Sequence, residues 1–261
     1  MKYKEIDIEE LLAIAQQAGD AIMEIYARDF EVIIKEDKSP LTEADKKSNA
    51  VIIAGLQKSY PAIPFISEET KLTPYEERKN WTRFWLIDPI DGTKEFIKKN
   101  GEFTVNIALI EDGVPVVGIV HVPAQNKTYY GVKGEGSFKY ETGKQDSTIK
   151  LTNDTHYNEK QSVLVVASRS HLDEKTLSFV EELKAAGKEV DFLSSGSSIK
   201  FCLVAEGAAD VYPRFGPTME WDTGAAHAVA LYAGRNVINT ETGKPLIYNK
   251  ENLLNPYFIV E

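Results

Sequence analysis

Trp85-Leu86-Ile87-Asp88-Pro89-Ile90-Asp91-Gly92-Thr93-Lys94-Glu95-Phe96 is the stretch around which the chain is organised. Its opening residues continue an apolar run from Phe84 and predict a buried strand that delivers Asp88 to a sheet edge. Pro89 restricts the backbone and Gly92 permits a sharp turn, so Asp88 and Asp91 can converge on one side of the loop. Two carboxylates so close repel each other unless a cation lies between them. An oxygen-only set of this kind suits magnesium or manganese, and the Ile90 carbonyl can add a further oxygen. The turn then opens a short helix at Thr93, whose free N–H groups and dipole favour a phosphate beside the ions. Taken alone, the same residues also spell a capped turn between strand and helix, and spacing favours a metal site only slightly.

Working outward, the pattern predicts an amphipathic helix from Asp7, with Ile8, Leu11, Leu12, Ala15, Ala18, Ile22 and Ile25 on one face. Asp7 is its expected N-cap and Glu10 the capping-box partner. A second helix is expected over 42–58, capped by Thr42 with Asp45 one turn inside, and a short strand over 63–66 ends in Ser67-Glu68-Glu69. Downstream, 103–110 and 114–122 read as a hairpin turning at Asp112-Gly113, and 128–132 with 136–138 continue an antiparallel meander. The second half alternates: strand 162–167, helix 173–186, strand 190–193, helix 197–206, strand 210–212 and helix 222–232. A polar tract over 141–158 sets a soft division between portions 1–150 and 151–261 of one compact unit. Asp222, in Trp221-Asp222-Thr223-Gly224, joins the candidate carboxylates where a loop enters an apolar helix. Each acid also has a plainer role available: N-cap for Asp222, capping-box acid for Asp45, solvated turn for Glu68-Glu69.

The 261 residues carry a net charge of −10, with 43% hydrophobic and 27% charged residues. That composition excludes a disordered or fibrous chain and disfavours a nucleic acid polymer as partner, while leaving room for a small phosphorylated ligand in a local basic pocket. One cysteine, Cys202 in the run Phe201-Cys202-Leu203-Val204, excludes an internal disulfide and a thiolate zinc site and reads as a buried structural thiol. No run approaches the ~18 apolar residues of a membrane span. A cytoplasmic location is expected, with peripheral attachment to the inner face of the membrane and oligomeric state left open.

Four separated motifs resemble those of the lithium-sensitive, magnesium-dependent phosphomonoesterases, which include inositol monophosphatases, fructose 1,6-bisphosphatases and bisphosphate nucleotidases. They are Pro40-Leu41-Thr42-Glu43-Ala44-Asp45, Ser67-Glu68-Glu69, Asp88-Pro89-Ile90-Asp91-Gly92-Thr93 and Trp221-Asp222-Thr223-Gly224-Ala225-Ala226, in the family's order and across most of the chain. The resemblance implies an α+β fold layered as an αβαβα sandwich. It makes Glu68, Asp88 and the Ile90 carbonyl ligands of one metal, with Asp88 bridging to a second held also by Asp91 and Asp222. Asp45 would orient the Thr93 hydroxyl so that the pair helps activate water for direct attack, and it is available to a weaker third ion. Glu69 would support the ligands rather than join them, and lithium would inhibit.

The continuation Lys94-Glu95-Phe96 is similar to 3'(2'),5'-bisphosphate nucleotidases of the CysQ type. That likeness assigns to a nucleotide bisphosphate the Gly92-Thr93 turn, Asp222, Ser197, Ser198 and Lys200 in Gly196-Ser197-Ser198-Ile199-Lys200, Arg214 in Tyr212-Pro213-Arg214-Phe215, and His171 in Ser168-Arg169-Ser170-His171. On their own, Lys200 reads as the exposed lysine of a Ser-capped helix and His171 as a loop residue. His227, in an apolar helix, reads as a core histidine. The implied reaction is hydrolysis of adenosine 3',5'-bisphosphate to AMP and phosphate, with the corresponding phosphosulfate a second substrate. The alternatives are an inositol monophosphatase and a non-catalytic nucleotide or metal sensor.

Overall fold

A computed structural model describes residues 1–34, 40–141, 148–152, 156–167 and 173–261. A small ribbon of β1 (Lys2–Tyr3) and β2 (Ile6–Asp7) leads into α1 (Ile8–Tyr26), followed by the paired β3 (Val32–Ile34) and β4 (Pro40–Thr42) and by α2 (Glu43–Ser59). Next come β5 (Phe65–Ser67), α3 (Tyr75–Arg78), β6 (Arg83–Asp91), α4 (Thr93–Ile97), β7 (Thr104–Glu111), β8 (Val114–Val122), β9 (Lys127–Val132), β10 (Gly136–Glu141) and β11 (Ile149–Leu151). The remainder alternates through β12 (Ser162–Ala167), α5 (Glu174–Ala185), β13 (Glu189–Ser194), α6 (Ile199–Ala205), β14 (Tyr212–Arg214), α7 (Glu220–Tyr232), β15 (Val237–Asn239) and β16 (Phe258–Val260).

Asp7 caps α1 by accepting the Glu9 N–H at 3.1 Å, but Glu10 is not its capping-box partner. The Glu10 carboxylate instead accepts the Ser59 and Tyr60 hydroxyls at the end of α2, so it ties the two helices together. The expected capping box does form on α2, between Thr42 and Asp45. The last two expected elements shift: β14 begins at Tyr212, and α7 begins at Glu220 with Met219 as its N-cap, which makes Asp222 the third helical residue.

One sheet organises the rest, in the order β11-β10-β9-β8-β7-β6-β5, with every neighbour antiparallel except β5 on β6. Side chains alternate across β6: Trp85 and Ile87 join the core under α1 and α2, while Phe84 and Leu86 join the core under α6 and α7. Beyond α6 and α7 lie the parallel pair β12–β13 and the antiparallel set β14-β16-β15, linked by a bridge from Val165 to Val211. α5 closes that side by packing Val180 and Leu183 on Val163, Val165 and Val211. The layers therefore run helix, sheet, helix, sheet, helix, the αβαβα sandwich that the sequence predicts. Among the described residues no helix is long and apolar enough to cross a membrane.

α7 lies unusually close to the sheet because two cross-strand neighbours, Gly118 and Gly131, carry no side chain. A Cβ on Gly118 would fall 2.1 Å from the Ala225 carbonyl oxygen, and one on Gly131 would fall 2.4 Å from that of Ala228. The start of α7 is clamped from the other side. Buried Glu220 accepts the N–H groups of Asn249 and Lys250 at 2.7 and 3.0 Å, and buried Arg78 donates to the carbonyls of Lys250 and Glu251 at 2.7 and 2.8 Å. His227 sits in the core as expected, its Nδ1 2.9 Å from the Tyr248 hydroxyl, and burial pushes its pKa down to about 3.

Gly118→Ala is expected to lower the urea midpoint at unchanged m-value, by roughly 1–3 kcal/mol of overpacking, because only backbone movement can relieve the contact. A pH series provides a second check. His227 stays neutral in the fold while the unfolded chain takes up a proton below its ordinary pKa near 6.5, so its contribution is complete above that pH and declines on acidification toward 3. The stability difference between wild type and His227→Gln should accordingly shift against the wild type by about 2 kcal/mol between pH 7 and pH 5.

Candidate active site

Between the register pairs Asp88↔Asn106 and Asp91↔Thr104, β6 advances three residues while β7 advances two. In an unbroken strand, residues three apart face opposite sides of the sheet. The extra residue forms a bulge that turns Asp88 and Asp91 to the same face, the one covered by α6 and α7. Pro89 occupies the bulge, where its missing N–H costs no ladder bond, and its carbonyl accepts the buried Ser48 hydroxyl of α2 at 2.8 Å. The Ile90 N–H donates to Asp88 Oδ1 at 3.0 Å. Gly92 then takes φ 93°, in the left-handed region, and starts α4.

The Thr93 hydroxyl lies 3.2 Å from Asp45 Oδ1 and 3.3 Å from the Ile90 carbonyl. Asp45 is held in turn by the Thr42 N–H and hydroxyl, each 2.7 Å from its Oδ2. Capping α2 and reaching Thr93 are thus one arrangement. Burial raises the Asp45 pKa, against the lowering effect of these hydrogen bonds.

Glu68, Asp88, Ile90, Asp91, Gly92, Thr93 and Asp222 line one cleft of about 350 Å³. The Glu68 N–H donates to the Ile87 carbonyl at 3.2 Å, prolonging the parallel pairing of β5 and bringing Glu68 beside Asp88. Asp222 turns Oδ2 to the Met219 N–H at 2.8 Å, and Asp91 turns Oδ2 to the Ser198 N–H at 2.5 Å. With one oxygen so engaged, the acids are spread around the cleft, and among the described residues no three His, Cys, Asp or Glu side chains are drawn together as a finished ion cage. Glu69, half-buried, does not line the cleft.

The donor chemistry nevertheless fits hard cations, being oxygen throughout. Burial first, then the charges of Glu68, Asp91 and Asp222, raise the Asp88 pKa well above the usual carboxylate range. Burial and Asp91 raise that of Asp222. Mutual repulsion among buried carboxylates is what a bound cation relieves.

Asp91, Gly92, Lys94, Glu95 and Asp222 also wall a second chamber of about 420 Å³, reaching Ser197, Lys200, Tyr212 and Arg214. Lys200 is buried rather than exposed. Its Nζ donates to the Ser197 carbonyl at 2.6 Å and stands 5.3 Å from the Tyr212 ring centroid. Burial pushes its pKa down to about 8, with Asp91 acting in the opposite direction. Arg214 donates to the Pro217 carbonyl at 3.1 Å, and its buried Nε has no partner. Ser197, at φ 44°, holds its buried hydroxyl on the chamber wall without a partner. Ser198 lines the same chamber, while its hydroxyl turns inward to Thr104 and Asn106. His171 lies outside the described residues.

Three buried polar residues around the site, Ser48, Thr104 and Asn106, belong to none of the sequence motifs. The last two were visible as polar residues at alternate positions of an otherwise apolar strand, Phe103-Thr104-Val105-Asn106-Ile107.

Comparison with known proteins agrees with this geometry. The profile of the Inositol monophosphatase family matches residues 5–257. The 3'(2'),5'-bisphosphate nucleotidase CysQ of Salmonella typhimurium is 46% identical over 256 residues, covering 97% of this chain and 98% of the relative. The Escherichia coli K12 protein of the same name is 45% identical over the same length and shares. In three dimensions, the crystal structure of CysQ from Bacteroides thetaiotaomicron superposes with a TM-score of 0.85 at 45% identity, covering 97% of this chain and 96% of the other. A Thermotoga maritima IMPase superposes with a TM-score of 0.73 at 25% identity, over 97% of this chain and 91% of the other. With the match running almost from end to end and the bulged aspartate loop at its centre, the chain belongs to the inositol monophosphatase family.

Proposed function

We propose that this chain is a magnesium-dependent 3'(2'),5'-bisphosphate nucleotidase that hydrolyses the 3'-phosphate of adenosine 3',5'-bisphosphate to AMP and phosphate. The observation that carries this reading is the shared wall: a cleft of carboxylates opens beside a chamber holding buried Lys200 and Arg214. A substrate with one phosphate to be cleaved and a second to be held matches that division. The names of the 45–46% identical relatives point to the same substrate class.

Glu68, Asp88 and the Ile90 carbonyl would hold one ion, and Asp88, Asp91 and Asp222 a second; Asp45 is available to a weaker third, and manganese is a plausible substitute on ligand chemistry. Divalent ions held there would supply charge to neutralise the phosphoryl oxygens, a water acidic enough to attack at neutral pH and stabilisation of the leaving alkoxide. The chain contributes placement. Asp45 fixes the Thr93 hydroxyl at the cleft, where it can accept or pass a proton from the attacking water. The Gly92-Thr93 turn lies against the phosphate to be cleaved. Lys200, Arg214 and the Ser197 hydroxyl face the second phosphate, where a phosphosulfate would also fit because its extra group is remote from the cleft. His171 remains assigned to the nucleotide by resemblance, and Glu69 to support of the ligands. In this reading portion 1–150 supplies most of the ion ligands and portion 151–261 recognises the nucleotide and adds Asp222.

Phosphate release from adenosine 3',5'-bisphosphate and from inositol 1-phosphate, with magnesium and then with EDTA, tests the proposal. A magnesium-dependent rate that favours the nucleotide is expected; a preference for inositol phosphate overturns the substrate, and no turnover of either overturns the enzyme. Asp88→Asn is expected to cut turnover at least about a hundredfold. Lys200→Ala should raise KM for the bisphosphate by about tenfold or more, as loss of a charged hydrogen bond does, with little change for p-nitrophenyl phosphate.

A further inference from the structure

Thr104 and Asn106 are the cross-strand neighbours of Asp91 and Asp88, so all four side chains face α6 and α7. Both β7 residues reach the same atom. Ser198 Oγ lies 2.8 Å from Thr104 Oγ1 and 2.9 Å from Asn106 Oδ1, and all three residues are buried. Proton bookkeeping sets the direction of this chain. A carbonyl oxygen can only accept, so Ser198 donates to Asn106, and Thr104 must therefore donate to Ser198. The N–H of that same Ser198 donates to Asp91 Oδ2 at 2.5 Å.

We infer that Thr104 and Asn106, acting through Ser198, are positioning residues that aim the Asp91 carboxylate at the cleft; the inference rests on the metal-ion reading of that cleft. Ser198, which lines the chamber, thereby gains a second role in support of Asp91. Two further observations favour this role over simple core filling. Ser197, just before the relay, holds a non-glycine φ of 44°, so the turn that presents the Ser198 N–H is kept in a conformation its sequence disfavours. Asn106 Nδ2 is buried without a partner, a cost that an apolar residue of similar size avoids.

The relay couples the two chambers. Ser197 and Ser198 both line the one that holds Lys200 and Arg214, and Ser198 donates its N–H to Asp91, an acid that walls both.

Mn2+ binding, followed by the electron paramagnetic resonance of the free ion, provides the test. Thr104→Val keeps the shape of the side chain and removes the donor, and Thr104→Ser restores it. Two Mn2+ sites are expected in wild type, with one loosened about tenfold or more in Thr104→Val and recovered in Thr104→Ser, at an unchanged melting temperature in EDTA. Ser198→Ala, which keeps the backbone N–H, should loosen the same site and serves if Thr104→Val does not fold. Wild-type affinity at both sites in either folded variant overturns the inference. Absence of Mn2+ binding in the wild type itself overturns the proposed function, and the inference with it.

Discussion

Two aspartates three residues apart can serve one site from a β-strand only if the strand breaks its own alternation. The single extra residue in β6, with Pro89 in the bulge and the Ser48 hydroxyl on its carbonyl, is that break. Regular pairing would leave Asp91 on the α1 and α2 side, in a core of Ile, Leu and aromatic residues with nothing to neutralise it. The remaining carboxylates of the cleft converge on the face the bulge selects. Glu68 comes from the end of the parallel neighbour and Asp222 from the first turn of α7.

Gathering acids there has an electrostatic cost that the fold confines to one place. Burial raises the pKa of Asp88, Asp91 and Asp222, and repulsion from the neighbouring acids adds to it at Asp88 and Asp222, while Lys200 works against it at Asp91. Backbone N–H groups from Ile90, Ser198 and Met219 each steady one of them, with a dipole but no charge. Dipoles of this kind orient a carboxylate without cancelling it, so the cleft retains its attraction for cations. Lys200 and Arg214 stand in the adjoining chamber, where their charges act on Asp91.

Much of this was legible in the sequence. The helical stripe after Asp7, the Asp112-Gly113 turn and the alternation after residue 160 each follow from local periodicity or turn chemistry, and the structure has them. So do the two ends of the Asp45–Thr93 hydrogen bond, because a capping acid and a turn hydroxyl are both marked locally. What escaped depends on pairing across long separations. A bulge is a relation between two strands, so the Asp88-to-Asp91 spacing alone could not announce it. Lys200 looked like a surface lysine because nothing nearby in sequence reveals that Tyr212 and Asp91 lie over it. Glu10 had an equally good local partner and a better distant one, and the distant pair won.

The clamp on α7 bears on the order in which the molecule is made. Asp88, Asp91 and their supporting helix α2 all lie before residue 92, whereas the groups that pin Glu220 come from residues 249 and 250. The acids of β6 therefore come far earlier in the sequence than the groups that fasten the helix carrying Asp222. Asp222 is locked in only when the segment beyond residue 248 folds back between Arg78 and Glu220. Completion of the cleft is in this way tied to the segment beyond residue 248, and a polypeptide cut short before residue 249 would retain the acids of β6 without the groups that fasten the helix carrying Asp222.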